Sequence, residues 1–176
     1  MYACAITGHR PTRFRFKYNE NDSRCKRLKK RLREQFALLY DKGVRRFYVG
    51  GALGVDQWSG EILLKMQLEP EYQGIELVVV QPFPGHDAQW DDRSRERLAF
   101  LIRHSTEHII IADEARRENF IKRNRYMVDH ADCLLAVYDS ECSIRSGTGA
   151  TVHYAERNEK PILFIHPDTL AVTTQV

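Results

Sequence analysis

The stretch Arg46-Phe47-Tyr48-Val49-Gly50-Gly51-Ala52-Leu53-Gly54-Val55-Asp56 decides how this chain folds. A short apolar run enters a glycine-rich turn, and Trp58, Ile62 and Met66 then follow at helical spacing as far as Pro70. Strand, tight turn and helix in that order open a β-α-β unit.

The same pattern recurs in both directions. Upstream, Tyr2–Thr7 reads as a strand closed by Gly8-His9-Arg10-Pro11. Arg24–Lys42 then carries Cys25, Leu28, Leu32, Phe36 and Leu39 on one helical stripe, with Asp22 or Ser23 as cap and Gly43 as stop. Downstream, Ile75–Gln81, His108–Ala112, Cys133–Tyr138 and Pro161–Ile165 read as strands. Between them lie helices at Asp91–Arg103, at Ile121–His130, and from Ser146-Gly147-Thr148-Gly149 through Glu156. Nearly continuous apolar strands alternating with helices predict an α/β fold, Rossmann-like and doubly wound, with a mainly parallel sheet covered on both faces. Residues 1–168 are expected to form a single domain, and 169–176 an unanchored C-terminal tail.

The 176 residues are 43% hydrophobic and 29% charged, which suits a globular chain with a real core. A net charge of +3 does not by itself announce a nucleic-acid binder. No apolar run approaches the roughly 20 residues of a membrane span, and no signal peptide is evident, so a cytoplasmic protein is expected. The cysteines Cys4, Cys25, Cys133 and Cys142 form no C-x-x-C pair, so neither a metal site nor a disulfide framework is expected.

Ligands of doubly wound folds bind outside the carboxyl ends of the strands. Three such ends carry glycine: Gly8; Gly50, Gly51 and Gly54; and Gly147 and Gly149 beside Ser146 and Thr148. Each loop can simply be a tight turn, or it can bring backbone N–H groups and a helix N-terminus to a phosphate. No Walker loop and no G-x-G-x-x-G at the first strand occurs. Arg10 can pair with phosphate. His9 can hold a turn or act as acid or base. Asp56 can cap its helix or grip a ribose. Asn124 and Arg125, read as the start of a helix, and Asp139 are candidates for the cleft or for surface ion pairs. Trp58 and Met127 belong to apolar faces. A basic helix, Arg24–Arg33, is either a solvated face or a contact for nucleic acid, with Phe14, Phe16 and Tyr18 nearby to stack bases or to pack their loop.

Taken together, Thr7-Gly8-His9-Arg10-Pro11, Gly50 through Asp56, Arg123 through Asp129, and Gly147-Thr148 with Thr151 through Glu156 resemble the SLOG superfamily of Rossmann-like proteins, in its YpsA-like branch. The resemblance implies a pocket for a nucleotide-derived ligand such as ADP-ribose, NAD or a nucleotide. The superfamily also holds the LOG phosphoribohydrolases and DprA, so fold membership does not choose a chemistry. LOG enzymes carry P-G-G-x-G-T-x-x-E, whose carboxylate assists N-glycosidic cleavage. Here Val152 and His153 stand where that acid should follow, and Glu156 lies a turn further on; Glu156, Asp56 or Asp139 is the candidate catalytic carboxylate. That departure favours binding or sensing over hydrolysis. A nucleotide N-glycosidase and a DprA-like single-strand binder remain the alternatives, and a homodimer is carried by no motif.

Overall fold

In the computed structural model, which describes residues 2–141 and 145–176, the chain alternates strand and helix as its hydropathy requires. The elements are β1 (Ala3–Gly8), α1 (Ser23–Asp41), β2 (Arg46–Val49), α2 (Val55–Gln67), β3 (Glu76–Gln81), α3 (Asp92–His104), β4 (Glu107–Ile110), α4 (Glu118–Asp129), β5 (Cys133–Val137), α5 (Gly147–Arg157), β6 (Ile162–Ile165) and β7 (Val172–Gln175). The sheet runs in the order β4-β3-β2-β1-β5-β6-β7, parallel except for β7. This is an α/β, Rossmann-like fold.

Alternate side chains of each strand feed two cores. Leu77 and Val79 join Phe47, Ile6, Leu28, Leu32, Trp58, Leu98 and Leu101 on the α1-α2-α3 face. Val78 and Val80 join Ala5, Leu134, Met127, Val128, Val152 and Ala155 on the α4-α5 face. Burial on both faces explains why the strands read as apolar runs rather than alternating ones. Trp58 and Met127 are core, as their helical stripes implied.

Local chemistry fixes the helix starts. Asp22 accepts from the Arg24 N–H at 2.9 Å, Asp91 from the Ser94 N–H at 2.9 Å, and Ser146 Oγ from the Gly149 N–H at 3.0 Å. Cys4, Cys25 and Cys133 are free and buried, while Cys142 lies outside the described residues.

The C-terminal segment corrects the expectation of an unanchored tail. Strand β7 pairs antiparallel with β6, Val172 opposite Ile165 and Gln175 opposite Ile162. His166 closes the hairpin: its Nδ1 accepts from the N–H groups of Asp168 and Thr169, each at 3.1 Å. The segment escapes a reading by hydropathy because an edge strand with one solvated face needs no continuous apolar run.

Candidate functional site

Strand order reverses at β1, with β2 on one side and β5 on the other. Loops leaving neighbouring strand ends there turn to opposite faces and open a crevice. A cleft of about 600 Å³ occupies it. Its wall takes Thr7, Gly8, His9, Arg10 and Arg13 from the β1 side, Ala52 and Asp56 from the β2–α2 turn, Arg117, Phe120, Ile121, Arg123 and Asn124 from α4 and the residue before it, and Arg145 through Thr148 from the start of α5.

Close backbone approach joins the first two loops. A Cβ on Gly8 would lie 2.5 Å from Val55 Cβ, so only glycine lets α2 abut the end of β1. Gly54 caps α2 at φ 89° and ψ −127°, and a Cβ there would lie 2.6 Å from the His9 carbonyl oxygen. Asp56 is therefore not the N-cap. It sits one residue inside the first turn, buried, and its carboxylate accepts from the Ala52 N–H at 3.3 Å. Burial raises its pKa to about 6, against the pull of Arg123 and of the Ala52 and Gly50 N–H groups.

Arg123 is the residue that sequence reasoning passed over. It is buried, its Nη1 donates to the Gly50 carbonyl at 2.6 Å and to the Val80 carbonyl at 3.3 Å, and its Nε donates to Asn124 Oδ1 at 2.8 Å. One guanidinium thus ties α4 to the ends of β2 and β3 while facing Asp56. The signal was present: Asn119, Arg123 and Met127, spaced by four, form the buried stripe of α4. It was hidden by starting that helix at Ile121, which is exposed.

His9 is 5% exposed, lies between the rings of Phe14 and Tyr138, and has an Nε2 with no partner among the described residues. Burial, then Arg13, lowers its pKa to about 4, so the ring is neutral at pH 7. His86 shares that behaviour: its Nδ1 pairs with Gln81, which also holds His108, and burial lowers it to about 4. Between pH 6.5 and 4 the unfolded chain binds protons on both imidazoles that the folded chain refuses, so these two residues make stability rise with pH. Asp56 acts in the opposite sense, since the fold keeps its proton up to about 6 and the unfolded chain releases it near 3.8. Urea melts of a His9→Asn/His86→Asn variant are expected to lose that rise between pH 4 and 6.5; an unchanged profile contradicts the assignment.

At the third loop, Ser146 caps α5 and Thr148 is buried in its first turn. A Cβ on Gly147 would meet nothing within 4 Å among the described residues, so these leave the space before the helix N-terminus open. Gly149 instead packs beneath the Tyr138 hydroxyl. Gly50 lends its carbonyl to Arg123, and Gly51 backs onto Leu98; neither lines the cleft.

Of the remaining candidates, only Asn124 is among the described residues of the wall. Asn124 is on the wall, but in the middle of α4 rather than at its start. Arg125 is exposed, its guanidinium 5.1 Å from the Tyr154 ring centre. Asp139 accepts from the Glu141 N–H at 3.0 Å and stands 3.7 Å from His166. Glu156 faces the other way, 3.0 Å from His153 Nδ1 and 3.3 Å from Gln175 Nε2. Phe14 and Phe16 stack at 4.9 Å and are buried against Trp58, so they pack their loop; Tyr18 alone of the three is exposed.

Arg10, Arg13, Arg117, Arg123 and Arg145 thus surround the cleft, against the single carboxylate of Asp56 among the described lining residues. No group of three His, Cys, Asp or Glu among the described residues is arranged to hold a metal ion. No helix of the described residues is long and apolar enough to cross a membrane.

Comparison with known proteins agrees with this geometry at the level of family and fold. A family model, YpsA, described as the YspA SLOG family, matches residues 4–170. UPF0398 proteins of Bacillus thuringiensis (strain Al Hakam) and Bacillus cereus (strain B4264) are each 29% identical over 145 residues, covering 80% of this chain and 76% of theirs. Among solved structures, DNA processing protein A from Helicobacter pylori, described by its single-stranded DNA binding mode, superposes with a TM-score of 0.60 at 17% identity. That match covers 93% of this chain and 64% of the other, so the chain spans under two thirds of that neighbour. The family match runs unbroken from the central strand to the turn before the last one: this chain belongs to the YspA SLOG family.

Proposed function

We propose that the cleft binds a nucleotide-derived anion, with ADP-ribose, NAD and mononucleotides as the ligand class, and senses or carries it without cleaving it. The observation that carries this reading is the charge of the wall, five arginines against one carboxylate, around the open N-terminus of α5. The first N–H groups of a helix have no helical acceptor, and its dipole favours an anion there. Phosphate seats before Gly147 and Thr148, with Arg10 and Arg145 able to pair with it in bidentate fashion. The unpartnered Nε2 of His9 and the Asn124 side chain on the same wall suit a ribose or a base. The volume, about 600 Å³, falls in the range of small-ligand pockets.

The placement of the carboxylates supports a non-cleaving role. An N-glycosidase needs one poised to stabilise an oxocarbenium ion or to activate water. Glu156 faces β7, and Asp56 is buried against Arg123. A thermal-shift panel of ADP-ribose, NAD and AMP on pure apo protein tests the reading. Ligand at a hundredfold its Kd adds about 2.7 kcal/mol, a rise of several degrees in Tm. Chromatography after long incubation is expected to return each ligand intact. No shift with any member of the panel contradicts binding, and released base contradicts the non-cleaving role.

A further inference from the structure

Residues before α1, α1 itself and the turn between β6 and β7 enclose a second groove of about 380 Å³, which shares no described lining residue with the cleft. Arg15, Arg24, Arg27 and Arg31 line it, against the one carboxylate of Asp168 among its described lining residues. Its floor includes the buried rings of Phe14 and Phe16. Arg24 is paired with Asp22 at 2.7 Å, and Arg31 stands 3.5 Å from Glu34. Arg15 and Arg27 are exposed and form no side-chain hydrogen bond or salt bridge with the described residues.

The spacing of these cations defines what they fit. Arg24, Arg27 and Arg31 recur at three and then four residues, which places them on one face of α1 over roughly 10 Å of helix axis. A single compact phosphate needs a convergent cluster; a row of guanidinium groups along a groove matches successive phosphates of a chain. A groove of about 380 Å³, walled by a helix on one side and a turn on the other, is of a size for a short stretch of one strand. We propose that this groove binds the sugar–phosphate backbone of single-stranded nucleic acid without regard to sequence. The site is separate from the cleft and does not rest on the cleft's ligand.

Neutralising three or four phosphates of a single strand gives a log–log salt slope of roughly −2 to −3. The experiment is fluorescence anisotropy of the full chain with labelled oligothymidylate of about 20 nucleotides at increasing salt. Wild type is expected to bind at low salt with that slope. Arg15→Glu/Arg27→Glu/Arg31→Glu is expected to bind at least about tenfold more weakly, with a shallower slope and an unchanged circular dichroism spectrum. Lys65→Glu/Arg103→Glu/Lys122→Glu makes the same change in net charge at exposed positions elsewhere and is expected to stay close to wild type. The proposal is overturned if folded wild type fails to retain the oligonucleotide at low salt, or if both triple variants lose affinity equally. Binding to phosphatidylglycerol vesicles with none to the oligonucleotide overturns it too.

Discussion

Replacing Arg123 by methionine is expected to lower the unfolding free energy by about 2–5 kcal/mol, because the buried carbonyls of Gly50 and Val80 lose their donor and the Asp56 carboxylate loses a nearby positive charge. The guanidinium faces Asp56 and satisfies the carbonyls of Gly50 and Val80. Methionine fills much of the volume but returns none of those hydrogen bonds, and each abandoned buried acceptor adds to the loss. Against a typical total of about 5–15 kcal/mol, such a loss removes a large part of the stability. Arg123→Met/Asp56→Leu removes both charges together and is expected to recover part of it, since no buried carboxylate is then left without the positive charge of Arg123. Urea unfolding of the two variants and of Asp56→Leu completes the cycle. A loss under about 1 kcal/mol for Arg123→Met would show that the clamp between α4 and the strand ends is not structural.

Gly54→Ala is the second large effect, an expected loss of about 2–5 kcal/mol from backbone strain plus overpacking. At φ 89° and ψ −127° the backbone occupies a region essentially reserved for glycine. The added methyl would also lie 2.6 Å from the His9 carbonyl oxygen and 3.0 Å from Pro11 Cδ. Relief requires the β1 loop to move away from α2, which displaces His9 and Arg10 together. Gly147→Ala is the contrasting case: the position is helical, its new Cβ meets nothing among the described residues, and alanine is a better helix former. Thermal melts should separate the two, Gly54→Ala falling well below wild type and Gly147→Ala staying level or rising.

The same residues show why some of the molecule was legible beforehand. Strand and helix alternation was plain because two-faced burial makes β1, β3 and β5 apolar runs, and because Asp22, Asp91 and Ser146 supply side-chain caps. The crevice followed from topology, which places the ends of β1 and β5 side by side. Residues whose position depends on helix phase were not legible. Arg123 and Arg125 are two apart in one basic segment, yet a rotation of about 200° separates them, burying the first and exposing the second. Asp56 read as a cap because it opens a helix after glycines, but Gly54 already ends the turn, so the carboxylate swings inward to Ala52 and Arg123. Glu156 could be placed on α5 from sequence, whereas its facing β7 depended on a strand that sequence did not reveal.

On the function proposed above, an anionic, nucleotide-derived ligand occupies the cleft before α5. Calorimetric titration of ADP-ribose into wild type, Gly147→Leu and Arg10→Ala/Arg145→Ala tests it most directly. Leucine at 147 projects into the open space where phosphate is expected, and the double variant removes two of the exposed cations around it. One site per wild-type chain is expected, and binding at least about tenfold weaker in both variants at unchanged Tm. Absence of binding to folded wild type, or equal affinity in all three proteins, would contradict it.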